Sequence, residues 1–190
     1  GFFSGPNLHP WYGFGRGFER YVDCSNAPAD AATFSEMESR GGFGVMRAAQ
    51  RNSHQGITSP KPAEASDAWL DELGPDERFF AFVHMWDVHY DYAAPPEFDV
   101  FFPAYDGWLD GNNYSELDRL DERDPRDVQR LLALYDAEIR LTDHYMGRMP
   151  EPLRTAGRLD DTLVVLVSDH GEEFFEHGRF GHNRTLFEEV

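Results

Sequence analysis

Two unbroken apolar runs, "RFFAFVHMW" (78–86) and "TLVVLVS" (162–168), flank one long segment of helical periodicity, and this order constrains the fold more than any other feature of the 190 residues. Runs of this length without polar alternation suit strands covered on both faces. Between them Val128, Leu131, Leu132, Tyr135, Ile139, Thr142 and Met146 recur on one stripe, with Arg130, Ala137, His144 and Arg148 opposite. Asp124 is the expected N-cap and Pro125 the first helical residue, a position that has no use for an N–H. Strand, crossover helix and strand predict parallel pairing. The fold class is therefore α/β, a mostly parallel sheet flanked by helices.

Around this unit the chain is less regular. The first 65 residues read as loops: "GFFSGPNLHPWYGFGRGFERYVD" is dense in glycine and aromatic rings, and "NSHQGITSPKP" reads as an exposed loop. "EASDAWLDELG" reads as a short helix stopped by Gly74. Pro95 and Pro96 make "DVHYDYAAPPEF" a loop, and Asp160-Asp161 form the turn before the second strand. There is no internal repeat. Two clear strands are few for such a sheet, so residues 1–190 are expected to be part of a single domain, truncated at both ends.

Charge narrows the partners. Thirty-five acidic residues oppose 17 basic ones for a net charge of −18, and Lys61 is the single lysine. Such a surface repels nucleic acid and anionic lipid, so an anionic substrate needs local cations or a metal. The acidic excess fits a solvated surface suited to high salt, and arginine-rich usage fits genome composition equally well. No apolar run approaches the roughly 18 to 20 residues that span a bilayer, so no membrane crossing is expected. The lone Cys24 excludes an internal disulfide and a multi-cysteine metal site.

Ligands of open α/β sheets bind beyond the carboxyl ends of the strands. Both runs end in histidine and carboxylate: Asp87-Val88-His89-Tyr90 and Asp169-His170-Gly171. Neighbouring strand residues face opposite ways, so Asp169 and His170 can share one ion only if the chain has left the pleat, for which Gly171 supplies freedom. An Asp oxygen with a His nitrogen suits Zn, Mn or Fe better than a Mg cage, with Ca also compatible, and at least two further ligands must come from elsewhere. An isolated Asp-His pair also fits a helix cap and a satisfied strand-end histidine. The density of Glu172, Glu173, Glu176, His177 and His182 behind it favours chemistry.

The stretch "DDTLVVLVSDHGEEFFEHGRFGHNRTLFEEV" resembles the second metal-binding segment of the sulfatase family within the alkaline phosphatase superfamily. There a strand ends in Ser-Asp-His-Gly or Asp-Asn-Gly and leads to Gly-Glu-x-x-x-Glu-His-Gly. "FFAFVHMWDVHYDYAAPPEF" is similar to the same family's strand and histidine-bearing loop, and "YDAEIRLTDHYMGRM" to its following helix. The three segments occur in the family's order. The resemblance implies an alkaline-phosphatase-like fold, incomplete here, with Asp169 and His170 as metal ligands. It implies that His89 is a polar contact to the sulfate ester and that His182 sits near the ester oxygens. His177 is read as structural, His84 as a core histidine, His9, His54 and His144 as surface or helix residues, and Asp136 and Asp143 as structural.

The resemblance further implies a divalent cofactor, calcium foremost, with Mn, Zn or Mg compatible, and a small-molecule or glycan sulfate ester as partner. The family's C/S-x-P-x-R nucleophile motif, whose Cys becomes formylglycine, and its Asp-Asp metal pair do not occur here, and Cys24 sits in "CSNAPAD". The formylglycine nucleophile is therefore expected outside these residues, and the chain alone is expected to hydrolyse nothing. Two alternatives stay open: a phosphodiesterase or phosphonate monoester hydrolase of the same superfamily, and a non-catalytic metal- or glycan-binding domain.

Overall fold

The middle strand of the sheet comes from the first residues of the chain. In the computed structural model, which describes residues 1–26, 56–112, 120, 124–182 and 186–190, β1 (Phe2–Phe3) lies between β2 (Val22–Asp23) and β3 (Val83–His84). Both pairings are parallel, with Phe2 opposite Val22 and Val83 and Phe3 opposite Asp23 and His84. Phe2 and Phe3 are 2% and 1% exposed. The opening was expected to be irregular. Its strand is too short to show a period, and packing establishes it: Phe2 meets Trp69 at 5.8 Å and Phe3 stacks on Tyr21 at 4.9 Å.

Helix α1 (Pro60–Glu72) connects β2 to β3. It begins four residues before the expected "EASDAWLDELG", because Pro60 and Pro62 fall in the first turn, where proline has no helical N–H to forfeit. Thr58 and Ser59, read as part of an exposed loop, are fully buried. Asp87, just beyond β3, explains this: its carboxylate accepts the N–H groups of Thr58 at 3.0 Å and of Ser59 at 2.7 Å, and the Thr58 hydroxyl at 3.0 Å.

Helix α2 (Pro125–Arg148) starts as expected, Asp124 Oδ1 accepting the Arg126 N–H at 3.0 Å. Its buried face differs from the predicted stripe. Leu131, Ala133, Leu134, Ala137, Glu138 and Leu141 are buried, while Leu132 and Ile139 are 39% and 44% exposed. Alanines 133 and 137 permit close approach, and Glu138 turns inward because Ala93 N–H needs an acceptor, 2.9 Å away. Leu131 and Leu134 join Tyr90, Tyr92, Leu109 and Phe174 in the main hydrophobic cluster. Arg130 ties the 95–112 loop to this helix by a bidentate pair with Asp99 at 2.7 and 2.6 Å.

After the short α3 (Glu151–Thr155) a 3₁₀ turn at Leu159–Asp161 makes the expected reversal. The following run departs from expectation. Leu163, Val164, Val165, Leu166 and Val167 are 89, 59, 70, 71 and 79% exposed, and among the described residues they have no ladder partner. Likewise, only Val83 and His84 of the 78–86 run are in a ladder, and their partner is β1. An apolar run signals burial on two faces but does not specify which strand lies beside it. The α/β class holds, with α1 packed on a small parallel sheet and α2 and α3 packed on α1. Among the described residues no helix is long and apolar enough to cross a membrane.

Candidate active site

Three of the four predicted site residues meet beyond the end of β3. His89 stacks on Trp86 at 4.2 Å and leans on Tyr90 at 4.1 Å, the packing expected of a loop histidine. It also meets His182 edge-on at 5.4 Å, across 93 positions of sequence. His182 in turn lies 4.2 Å from the ring of His170 and stacks on Tyr90 at 5.7 Å.

A tight reversal brings His182 back. Phe174 bridges Phe180 in antiparallel fashion, Phe175 N–H donates to Arg179 carbonyl at 2.7 Å, and Gly181 N–H donates to Glu173 carbonyl at 3.0 Å. Phe174 is anchored in the core between Tyr92 and Tyr135, at 6.3 and 4.8 Å. The reversal therefore hangs on the same core that holds the His89 loop. Gly171 serves a different purpose from the one anticipated: a Cβ there would lie 2.1 Å from the Glu189 carbonyl, so the requirement is close backbone approach rather than a left-handed conformation.

Asp169 and His170 project from the far end of the exposed run. Asp169 Oδ1 accepts the His170 N–H at 3.1 Å, and its Oδ2 lies 3.7 Å from His170 Nε2. His170 Nδ1 lies 2.7 Å from the Gly171 carbonyl, an acceptor, so Nδ1 carries the hydrogen and Nε2 keeps its lone pair in the neutral ring. A carboxylate oxygen and an imidazole lone pair on one side of the chain match a borderline divalent ion, and the carbonyl behind His170 is the support that ligating histidines use. The pair fits a metal as part of a site. Among the described residues no group of three His, Cys, Asp or Glu could hold one. No helix follows Asp169 within residues 170–182, so it is not a helix cap.

Electrostatics set His182 apart from the other imidazoles. Its hydrogen bond to Glu172, at 3.0 Å, raises its pKa above the ordinary histidine value against the opposing effect of burial, and the charges of Glu172 and Asp169 add to the rise. His84, the predicted core histidine, is half-buried between Phe82 and Trp86, and burial lowers its pKa. His177 stacks on Phe187 at 3.8 Å and faces Glu189, in keeping with a structural role. His9 packs edge-on against Phe3 and His144 against Phe98. Asp136 and Asp143 are exposed on α2. His54 lies outside the described residues.

Sequence reasoning did not assign Glu172, Tyr92 or Glu138. Glu172 is 8% exposed and bonds both His182 and the Tyr92 hydroxyl, the latter at 3.0 Å. Its place directly after Asp-His-Gly was visible, but its burial was not. Glu138 is 2% exposed, and a lone Glu in a charged helix carries no signal of that.

A parallel sheet with imidazoles and carboxylates gathered beyond a strand end defines a candidate ligand site of the open α/β type. The chain belongs to the sulfatase family, whose model matches residues 3–188. It is 34% identical over 67 residues to a multifunctional alkaline phosphatase superfamily protein, PehA, of Trinickia caryophylli, covering 34% of this chain and 13% of that protein. It is also 34% identical over 65 residues to an uncharacterized sulfatase of Schizosaccharomyces pombe, covering 34% of this chain and 12% of the relative. Arylsulfatase K of Danio rerio is 34% identical over 62 residues, 33% of this chain and 12% of that protein. The matched stretches thus span only about an eighth of these relatives. No solved structure matches.

Proposed function

We propose that this chain contributes part of the metal and ester-binding site of a protein that hydrolyses sulfate esters. One observation carries the reading: in a sulfatase-family chain, His89, His170 and His182 converge from segments far apart in sequence, with Asp169 beside them. Asp169 and His170 would hold a divalent ion, calcium foremost by family resemblance, through Oδ2 and Nε2. Such an ion neutralises charge on the ester oxygens. His89 and His182 orient the anion and stabilise charge developing on it, His182 being the better donor because Glu172 favours its protonated form. With a net charge of −18 on the chain, an anionic ester requires local hydrogen-bond donors, which these imidazoles can supply.

The formylglycine nucleophile belongs, on this reading, to sequence outside residues 1–190, and these residues by themselves turn over nothing. Hydrolysis of phosphorus esters is a second reading. It is favoured by the resemblance to a protein named a multifunctional alkaline phosphatase superfamily member. The test is an assay of the full-length protein with paired aryl sulfate and aryl phosphate esters, with and without chelator, beside Asp169→Ala. Sulfate turnover that is lost with chelator and in Asp169→Ala is the expected result. Preference for phosphate selects the second reading, full activity in Asp169→Ala removes the ligand assignment, and inactivity toward both esters favours a binding domain.

A further inference from the structure

An imidazole is useful to a substrate only through a nitrogen that the protein has left free, and which nitrogen that is depends on what the other one touches. His182 Nδ1 lies 3.0 and 3.2 Å from the two oxygens of Glu172. The side chains of this pair are 12% and 4% exposed. Glu172 is held in turn by Tyr92, fully buried, whose hydroxyl donates to its Oε2 at 3.0 Å. A carboxylate offers lone pairs and no hydrogen, so Nδ1 is the donor whether the ring is neutral or protonated. Nε2 is then the ring nitrogen that this pair leaves for another partner. The neighbouring rings follow the same rule with weaker partners: His89 Nδ1 faces the Tyr90 carbonyl at 3.0 Å and His170 Nδ1 the Gly171 carbonyl at 2.7 Å.

We infer that Glu172, backed by Tyr92, is a positioning residue that fixes His182 in the Nδ1–H orientation and so aims Nε2 at the substrate. The role of Nε2 toward an ester rests on the sulfate-ester reading above; the fixed orientation does not. Tyr92 sits in the core cluster with Leu131, Leu134 and Phe174, which makes the Tyr92, Glu172, His182 chain a rigid strut out of the core. A support of this kind typically changes activity or affinity by about 10–100-fold when removed.

Two measurements test it. Long-range ¹H–¹⁵N correlation spectra of the full-length protein, taken at alkaline pH and assigned with His182→Gln, report which nitrogen of His182 carries hydrogen. The Nδ1–H form is expected, opposite to the preference of a free imidazole side chain, and an Nε2–H form overturns the inference whatever Glu172→Leu does. The second compares Glu172→Leu with wild type on the aryl ester. A fall in kcat of about 10–100-fold with KM little changed is expected, with Tyr92→Phe giving a smaller fall in the same direction. Unchanged kcat in a folded Glu172→Leu protein overturns the positioning role. If wild type shows the Nδ1–H form but hydrolyses neither ester, the orientation stands and the hydrolase reading fails.

Discussion

Glu138 offers a test of the packing that needs no substrate. It is 2% exposed on α2, and its Oε1 accepts the Ala93 N–H at 2.9 Å. Burial, reinforced by the charge of Asp87, pushes its carboxyl from the ordinary 4.5 up to about 8. The folded chain therefore keeps a proton that the unfolded chain releases between these values. The resulting stability is fully present below pH 4.5 and is lost as pH rises to about 8. At about 1.36 kcal/mol per pH unit, the loss across that window is at most about 5 kcal/mol. Glu138→Gln retains an acceptor for Ala93 and carries no charge at any pH, so it removes this slope. The contributions of other carboxylates are common to both proteins and cancel in the comparison. Urea unfolding followed by the fluorescence of the four tryptophans, from about pH 5 to about pH 9, reads the difference. The two proteins should be nearly equal at the acid end, with the variant more stable by on the order of 2–5 kcal/mol at the alkaline end. Parallel curves, or a wild type that gains on the variant as pH rises, would refute the reasoning.

Three further outcomes follow from the same geometry. Leu131→Ala empties a fully buried position in the main cluster and should cost about 2–5 kcal/mol in urea unfolding; a loss well under 1 kcal/mol would remove Leu131 from the core. Gly171→Ala drives a Cβ into the Glu189 carbonyl, 2.1 Å away, and should destabilise the chain by about 1–3 kcal/mol, measured in the same way. The exposed run 163–167 should make the 190-residue chain self-associate, and Val165→Lys with Leu166→Lys should shift its sedimentation toward monomer. A parent chain that is monomeric at all concentrations would contradict this.

Local signals were legible from the sequence. Asp124 caps α2 and Pro125 opens it, because a cap depends on groups two residues apart. The 3₁₀ turn at Leu159–Asp161 was marked by its paired aspartates for a similar reason. Period was a poorer guide to which face is buried: of the predicted stripe Leu131 is buried but Leu132 and Ile139 are exposed, and the helix packs also through Ala133, Leu134, Ala137, Glu138 and Leu141. Small residues and one inward carboxyl decide how close two segments come, and hydrophobic spacing does not encode that. At the candidate site the residue types were legible, and Asp169, His170, His89 and His182 stood out as groups able to bind a metal or an anion.

The sequence by itself determined the chemistry available to this chain: which segments are helical, which side chains can carry a metal or a proton, and the family to which their order belongs. Tertiary structure decided which of those groups meet. It made Phe2 and Phe3 the middle of the sheet, returned His182 to His170 and His89, and placed Glu172 against Tyr92, 80 positions away in sequence. Helical periods, caps and turns are set by interactions among neighbours and so leave a trace in the local pattern. A contact across 80 positions closes a long loop, and it forms only where the burial of a shared core offsets the entropy of that closure.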